Sequence, residues 1–296
     1  MSETIKSIDV DSVYVLIDRV DETELTGNDS KASFRLIEPL IKDLELLEMK
    51  DIGYKFFLWN ELEPYYIRSA RPDRIPQFEL NWTSEELEKI IQLRLQAFSS
   101  KEKVIKFDDL FSSTIKKEAV KDLVKIFSHG SPRDMIRICR QMVVEQLRLN
   151  SNSNSIDSDA ITNGLNTFCI QRTKEVISKD ILEELQKVHR LDFTVNYVAS
   201  NVFKISKNAA RSKISIWLNT GFLKHIDDIQ VSSFGRPVHH YAIMDSRIAK
   251  SIFLDLNFTD FLDKKVKRCP KCKQIMLRDW DLSSKHICQY CKTTFS

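Results

Sequence analysis

The sequence predicts an α/β amino-terminal part built on a partial parallel sheet. A mainly α segment follows, then a mixed α+β segment and a small cysteine module. Three observations carry this reading. Two short apolar runs, residues 13–17 and 54–59, flank a segment of helical period, the pattern of two buried parallel strands joined by a crossover helix. Residues 83–98, 115–127, 132–148 and 158–188 have helical spacing. Residues 269–291 hold four of the six cysteines as two Cys-x2-Cys pairs.

The first run, Val-Tyr-Val-Leu-Ile, is β-branched and ends in Asp18. The helix between the runs presents Phe34, Ile37, Leu40, Ile41, Leu44 and Leu47. Pro39 should kink it or end a first piece, and Gly53 reads as its stop. After the second run come an Arg- and Pro-rich connection and a short strand candidate at 77–80. Thr83-Ser84-Glu85-Glu86 opens a helix. Ser131, Pro132 and Asp134 open another as an S-x-x-D capping box. The polar stretch 150–158 reads as a domain boundary. From 193 the pattern becomes helix, turn, helix and two strands, at 222–226 and 238–243.

Composition bounds the function. With 42% apolar and 29% charged residues the chain is globular rather than disordered. It has no apolar run of the roughly 18–20 residues that a membrane helix needs, and no signal-like start, so a cytoplasmic protein without a membrane partner is expected. Six cysteines are too few to staple 296 residues, which fits a reducing compartment. Residues 201–296 carry 17 Lys+Arg against 8 Asp+Glu, whereas residues 1–200 carry 28 against 34. A basic carboxy-terminal third points to a polyanion. The six glycines are isolated, so neither GxxxxGK[ST] nor GxGxxG can be built.

An acid at the carboxyl tip of a buried parallel strand sits where open α/β sheets bind ligands. Residues 13–22, VYVLIDRVDE, place Asp18, Asp21 and Glu22 there. The second run leads to Asn60, and Arg68, Arg71 and Arg74 follow. Later, GSPRD sets Arg133 in the first turn of a helix. In this order the motifs resemble the carboxy-terminal half of a bacterial P-loop ATPase of the AAA+-like and STAND-like branches, over about residues 10–150. The resemblance implies a Walker B strand in which Asp18 serves Mg2+ and Asp21 or Glu22 orients water. It further implies a sensor at Asn60, a helical lid carrying the sensor arginine Arg133, and arginine fingers among Arg68, Arg71 and Arg74 acting on a neighbouring subunit, hence a homo-oligomer. The Walker A loop that should lie upstream is missing from this sequence. ATP and Mg2+ are therefore expected only with a completed P-loop, supplied upstream or by a partner chain.

Ser206 caps a helix over 207–219 whose Ala210, Ile214, Trp217 and Leu218 share one face. Gly221 ends it, and a β-hairpin with Arg236 near its tip follows. The segment resembles a winged helix. That implies DNA contacts from Lys207, Asn208, Arg211, Ser212 and Lys213, with Arg236 on the backbone. A packing or partner-binding role is the alternative.

The cysteines give the sharpest signal. Cys269-x2-Cys272 and Cys288-x2-Cys291 form two knuckles that can complete a tetrahedral four-sulfur site for a structural Zn2+. Ile275, Met276, Leu277 and Trp280 can supply hairpin strands, and the segment resembles a zinc ribbon. A redox pair or an iron–sulfur site is the alternative. Cys139 and Cys169 read as buried core thiols. The expected organisation is a partial P-loop ATPase core (1–100), a helical lid (101–150), a helical linker with a winged helix (156–260) and a four-cysteine zinc ribbon (265–296). The expected function couples ATP to nucleic-acid binding, inactive alone. A non-enzymatic DNA-binding regulator, or an interaction subunit with a vestigial ATPase half, are the alternatives.

Overall fold

In the computed structural model, residues 11–27, 29–71, 73–80, 82–99, 106–229, 237–279, 286–288 and 291–295 are described. The chain divides into two units, Met1–Leu80 and Asn81–Ser296.

In the first unit, β1 (Val13–Ile17) and β2 (Ile52–Phe56) pair in parallel, from Val13 opposite Ile52 to Ile17 opposite Phe56. The crossover is α1 (Ser30–Lys42) and the single turn α2 (Leu44–Leu47). Asp29 caps α1 by accepting the Ala32 N–H at 2.6 Å. The apolar face of α1 lays Phe34, Ile37 and Ile41 against Val20, Leu62 and Tyr66. The strand, helix, strand unit thus stands, with four corrections. The strands are not buried on both faces, since Tyr14 and Leu16 are 62% and 61% exposed and β2 is the one partner of β1 among the described residues. Pro39 ends no piece at its own position: α1 runs on past it to Lys42 and is separated from α2 only at Asp43, although the proline cannot donate to the Arg35 carbonyl. Gly53 is no stop but a member of β2, where an added Cβ would lie 2.8 Å from the Tyr14 ring. Residues 77–80 form no strand. The chain leaves β2 through a 3-10 turn, Asn60–Leu62, into α3 (Glu63–Ser69).

The second unit begins with α4 (Ser84–Phe98), α5 (Lys117–Ser128), α6 (Pro132–Leu149), α7 (Ser158–Val176) and α8 (Lys179–Val188). Thr83 and Glu86 cap α4 reciprocally. Ser131 caps α6 by accepting the Asp134 N–H at 3.2 Å, but the Asp134 carboxylate does not return the bond. It turns inward to Arg247 instead. The polar stretch 150–158 lies inside this unit, with Ile156 buried and bridged to Phe111.

After α8 come β3 (Asp192–Thr194), a π-helical turn (Tyr197–Phe203), α9 (Lys207–Asn219), β4 (Leu223–Ile229) and β5 (Val238–Ile243). The three strands form an antiparallel sheet in the order β3–β5–β4. Then follow α10 (Ser246–Ile252), α11 (Phe258–Lys265) and two ladders, β6 (Val266–Arg268) with β7 (Ile275–Leu277), and β8 (His286–Ile287) with β9 (Thr294–Phe295). One large apolar core runs through the unit, with Phe127, Ile138, Met142, Leu165, Trp217 and Phe261 fully buried, and a small separate cluster forms around Cys269, Met276 and Cys288. No helix among the described residues is long and apolar enough to cross a membrane.

Candidate metal centre and nucleic-acid interface

The four cysteine sulfurs come together. Cys269 Sγ lies 3.5 Å from Cys291 Sγ, and Cys272 Sγ lies 3.6 Å from Cys288 Sγ. All four lie within 4.8 Å of one another. A disulfide needs about 2.05 Å, so these are free thiols. Tetrahedral ligation at about 2.3 Å per Zn–S bond separates sulfurs by roughly 3.8 Å, close to what is found.

Each pair sits on the same backbone turn. The Cys269 N–H donates to the Gln274 carbonyl at 3.0 Å, and the Lys273 N–H to the Cys269 carbonyl at 3.0 Å. The second turn repeats this: Cys288 to Thr293 and Lys292 to Cys288, both at 2.9 Å. Lys273 and Lys292 take φ of 61° and 58°, the left-handed step that closes each knuckle. Cys269 and Cys288 are fully buried. Trp280 lies outside the described residues. Cys169 is a buried core thiol whose pKa burial pushes up, in keeping with its expected place in the core, whereas Cys139 is only partly buried and packs against the core from its edge.

Helix α9 buries Ala210, Ile214 and Trp217 against the core and leaves Lys207, Asn208, Arg211 and Ser212 exposed. Arg211 Nη1 donates to Asn208 Oδ1 at 2.8 Å, so both side chains lie on one outward face. Lys213 differs from the other four. Its ammonium pairs with Glu184 on α8, whose other oxygen accepts the Trp217 Nε1–H at 3.2 Å. Lys213 is thus tied to the helix pair. Arg236 lies outside the described residues.

The acids after β1 are exposed or half-buried. Asp18 Oδ1 accepts the Arg19 N–H at 2.9 Å, and Glu22 accepts from Arg19 Nε at 2.6 Å. Asp21 is half-buried beside them. Asn60 begins the 3-10 turn rather than ending a strand, and its Nδ2 meets Glu79 at 3.4 Å. Arg71 grips Asp73 through Nε and Nη2, and Arg74 pairs with Glu48 at 3.2 Å. Arg68 is exposed in the last turn of α3. Arg133 lies at the start of α6, in the second unit.

Two clusters escaped the sequence reading. The buried Arg247 joins Asp245 on its own helix start to Asp134 on α6, at 2.6 Å to Asp134. Nothing local in sequence pairs residues so far apart. On the hairpin, β4 runs to Ile229 rather than 226, so Asp227 and Asp228 belong to the strand and face His240 and His239 across it. The D-D and H-H doublets eleven residues apart were the available signal.

No family model matches this sequence, and no curated protein is detectably similar to it. Among solved structures, the chain is similar to the Orc1 protein of Aeropyrum pernix in complex with DNA. The TM-score is 0.46 and the identity 11%, over 86% of this chain and 67% of that one. At that level of likeness no residue role passes from one protein to the other.

Proposed function

We propose that the chain is a zinc-stabilised DNA-binding protein in which residues 179–243 act as a winged helix. The observation that supports it most is the face of α9: Lys207, Asn208, Arg211 and Ser212 stand exposed together while the opposite face is buried. In this reading α8, the π-helical turn and α9 form the helical part, and the β4–β5 hairpin is the wing. Asn208 and Ser212 can meet base edges, and Lys207 and Arg211 hold phosphates. The four cysteines hold a structural Zn2+, which closes the module around the two knuckles. Zinc is expected in stoichiometric amount, and Cys272→Ser should abolish its retention at this site. The DNA test is a titration of a labelled duplex at two salt concentrations. Lys207→Glu with Arg211→Glu should weaken binding at least about tenfold and flatten the salt slope by about 0.9 for each phosphate no longer neutralised. Unchanged affinity would remove α9 from the interface.

A second reading concerns the first unit. It rests on the parallel pairing of β1 and β2 through α1, with Asp18 just past the carboxyl end of β1. The unit would be the Walker B half of a P-loop ATPase core, with Asp18 for the metal, Asp21 or Glu22 for water, and Asn60 as a sensor, while the expected second sensor, Arg133, belongs to the other unit. Of the three candidate fingers Arg68, Arg71 and Arg74, Arg68 is the one with no ion pair among those found for the described residues and would be the first choice for a neighbouring copy. The residues present do not cradle a nucleotide by themselves, because no glycine-rich loop with its lysine exists in the sequence. ATP turnover by this chain should equal that of Asp18→Ala. Turnover that depends on Asp18 would mean that the phosphate site is complete.

A further inference from the structure

We propose that the β4–β5 hairpin carries a second metal site, in which His225, Asp228 and His239 hold a divalent transition metal such as Zn2+ with a fourth position open to water.

The placement depends on a β-bulge. Residues three apart in a regular strand point to opposite faces, so His225 and Asp228 should be separated. The pairing register shifts between His225 and Asp227: His225 faces Tyr241, Asp227 faces His240 and Asp228 faces His239. Ile226 is the extra residue. It restores His225, Asp228 and His239 to one face and sends Asp227 and His240 to the other.

The two faces have different chemistry. On the second face His240 is closed, with Nδ1 on Asp227 at 2.9 Å and Nε2 on Asp192 at 2.8 Å. Asp192 also accepts the Asp279 N–H at 2.8 Å, which ties that face into the fold. On the first face, His225 Nε2 and His239 Nδ1 converge on the same Asp228 oxygen, at 2.8 Å and 2.6 Å. One exposed carboxylate shared by two imidazoles is worth little to stability. The same three groups are a two-nitrogen, one-oxygen ligand set of the kind that Zn2+, Cu2+ and Ni2+ accept.

The geometry is within reach. The three ligand atoms lie within 4.8 Å of one another. Tetrahedral ligation at about 2.0–2.1 Å brings such atoms to roughly 3.3 Å. The two N···O distances of 2.8 Å and 2.6 Å would open to admit an ion; the side chains of His225, Asp228 and His239 are 45%, 46% and 62% exposed, so rotation can make that adjustment without moving the core. Three protein ligands leave the fourth position to solvent, unlike the closed cysteine site. A metal there would carry net positive charge on the hairpin and could take a phosphate oxygen as its fourth ligand.

The site is tested on the full-length protein by equilibrium dialysis against Zn2+ followed by elemental analysis. Wild type should hold two ions per chain, one for each of the two ligand groups. His239→Ala and Asp228→Asn should each hold one. Cys272→Ser should lose the sulfur-bound ion and keep the other, so failure of the cysteine reading and failure of this one are told apart. With Co2+, the sulfur charge-transfer band should persist in His239→Ala while the added ligand-field bands of the second ion vanish. On wild type itself, Zn2+ should shift the imidazole resonances of His225 and His239 and spare those of His240. A single ion in wild type that Cys272→Ser abolishes, two ions retained in both hairpin variants, or unshifted His225 and His239 resonances would overturn the proposal.

Discussion

Asp134 shows how one side chain can carry two roles at different ranges. Its backbone N–H completes the Ser131 cap, which is a three-residue relation legible in the sequence. Its carboxylate, 2% exposed, meets Arg247 from 113 residues away, which is not. Arg247 also grips Asp245. Burial pushes the Asp245 carboxyl up, but the Arg247 guanidinium outweighs it and holds the group below the usual range. Removing Arg247, the partner that Asp134 and Asp245 share, leaves buried carboxylates without their counter-charge, at about 3–5 kcal/mol. Arg247→Met should lose stability of that order in urea unfolding, whereas Arg133→Gln, exposed and outside that buried network, should lose almost none. Glu175 gives a pH signature. The Arg137 fork and then Arg172 hold its pKa at about 2, below the ordinary value of 4.5. Its folded pKa is depressed, so the contribution is complete above about pH 4.5 and is lost as pH falls towards about 2. Glu175→Gln should therefore lower stability at neutral pH and narrow the gap to wild type across that acid window.

Elements were legible where their signals are local. Capped starts at Thr83, Ser131 and Ser206 fall where the sequence places them, because a cap is settled within three residues. The strands were less legible. β4 extends past 226 because a bulge absorbs Ile226, and no period-two pattern announces a bulge. Of the candidate sites, the cysteine spacing exposed its own geometry, while the hairpin histidines needed the register. Helix packing supplies the sharpest test at this scale. α6 and α7 approach so closely at Gly164 that an added Cβ would lie 2.7 Å from Met142 Cα and 2.8 Å from its nitrogen. Backbone cannot swing aside as a side-chain tip can. Ala in place of Gly gains about 1 kcal/mol of helix propensity, but overpacking costs about 1–3 kcal/mol. Gly164→Ala should therefore be net destabilising in thermal unfolding, and Gly164→Val more so.

The whole molecule joins parts of unequal self-sufficiency. The first unit has a small core of six buried apolar residues and a strand whose Tyr14 and Leu16 face solvent. A parallel sheet is normally covered on both faces, so residues 1–80 alone should be marginal. Residues 81–296 contain one large continuous core and should unfold cooperatively as a fragment. Within that second unit the cysteine module is attached by bonds that need no metal. Leu277 packs into the main core, the Arg278 N–H donates to the Lys265 carbonyl at 3.1 Å, and the Leu191 N–H donates to Asp279 at 2.6 Å. Among the described residues the buried knuckle side chains Cys269, Met276 and Cys288 form a small cluster apart from the main core, and beside them only the exposed Arg268–Asp122 pair reaches α5. Chelating the metal should then melt the knuckles while the rest of the unit stands. Hydrogen exchange reads this directly. The Lys273 and Lys292 amides, which close the knuckles, should lose protection on metal removal, and the Leu191 amide should keep it. Loss of protection at Leu191 as well would mean that the metal holds the second unit as a whole, because that amide reports the junction between the module and the core.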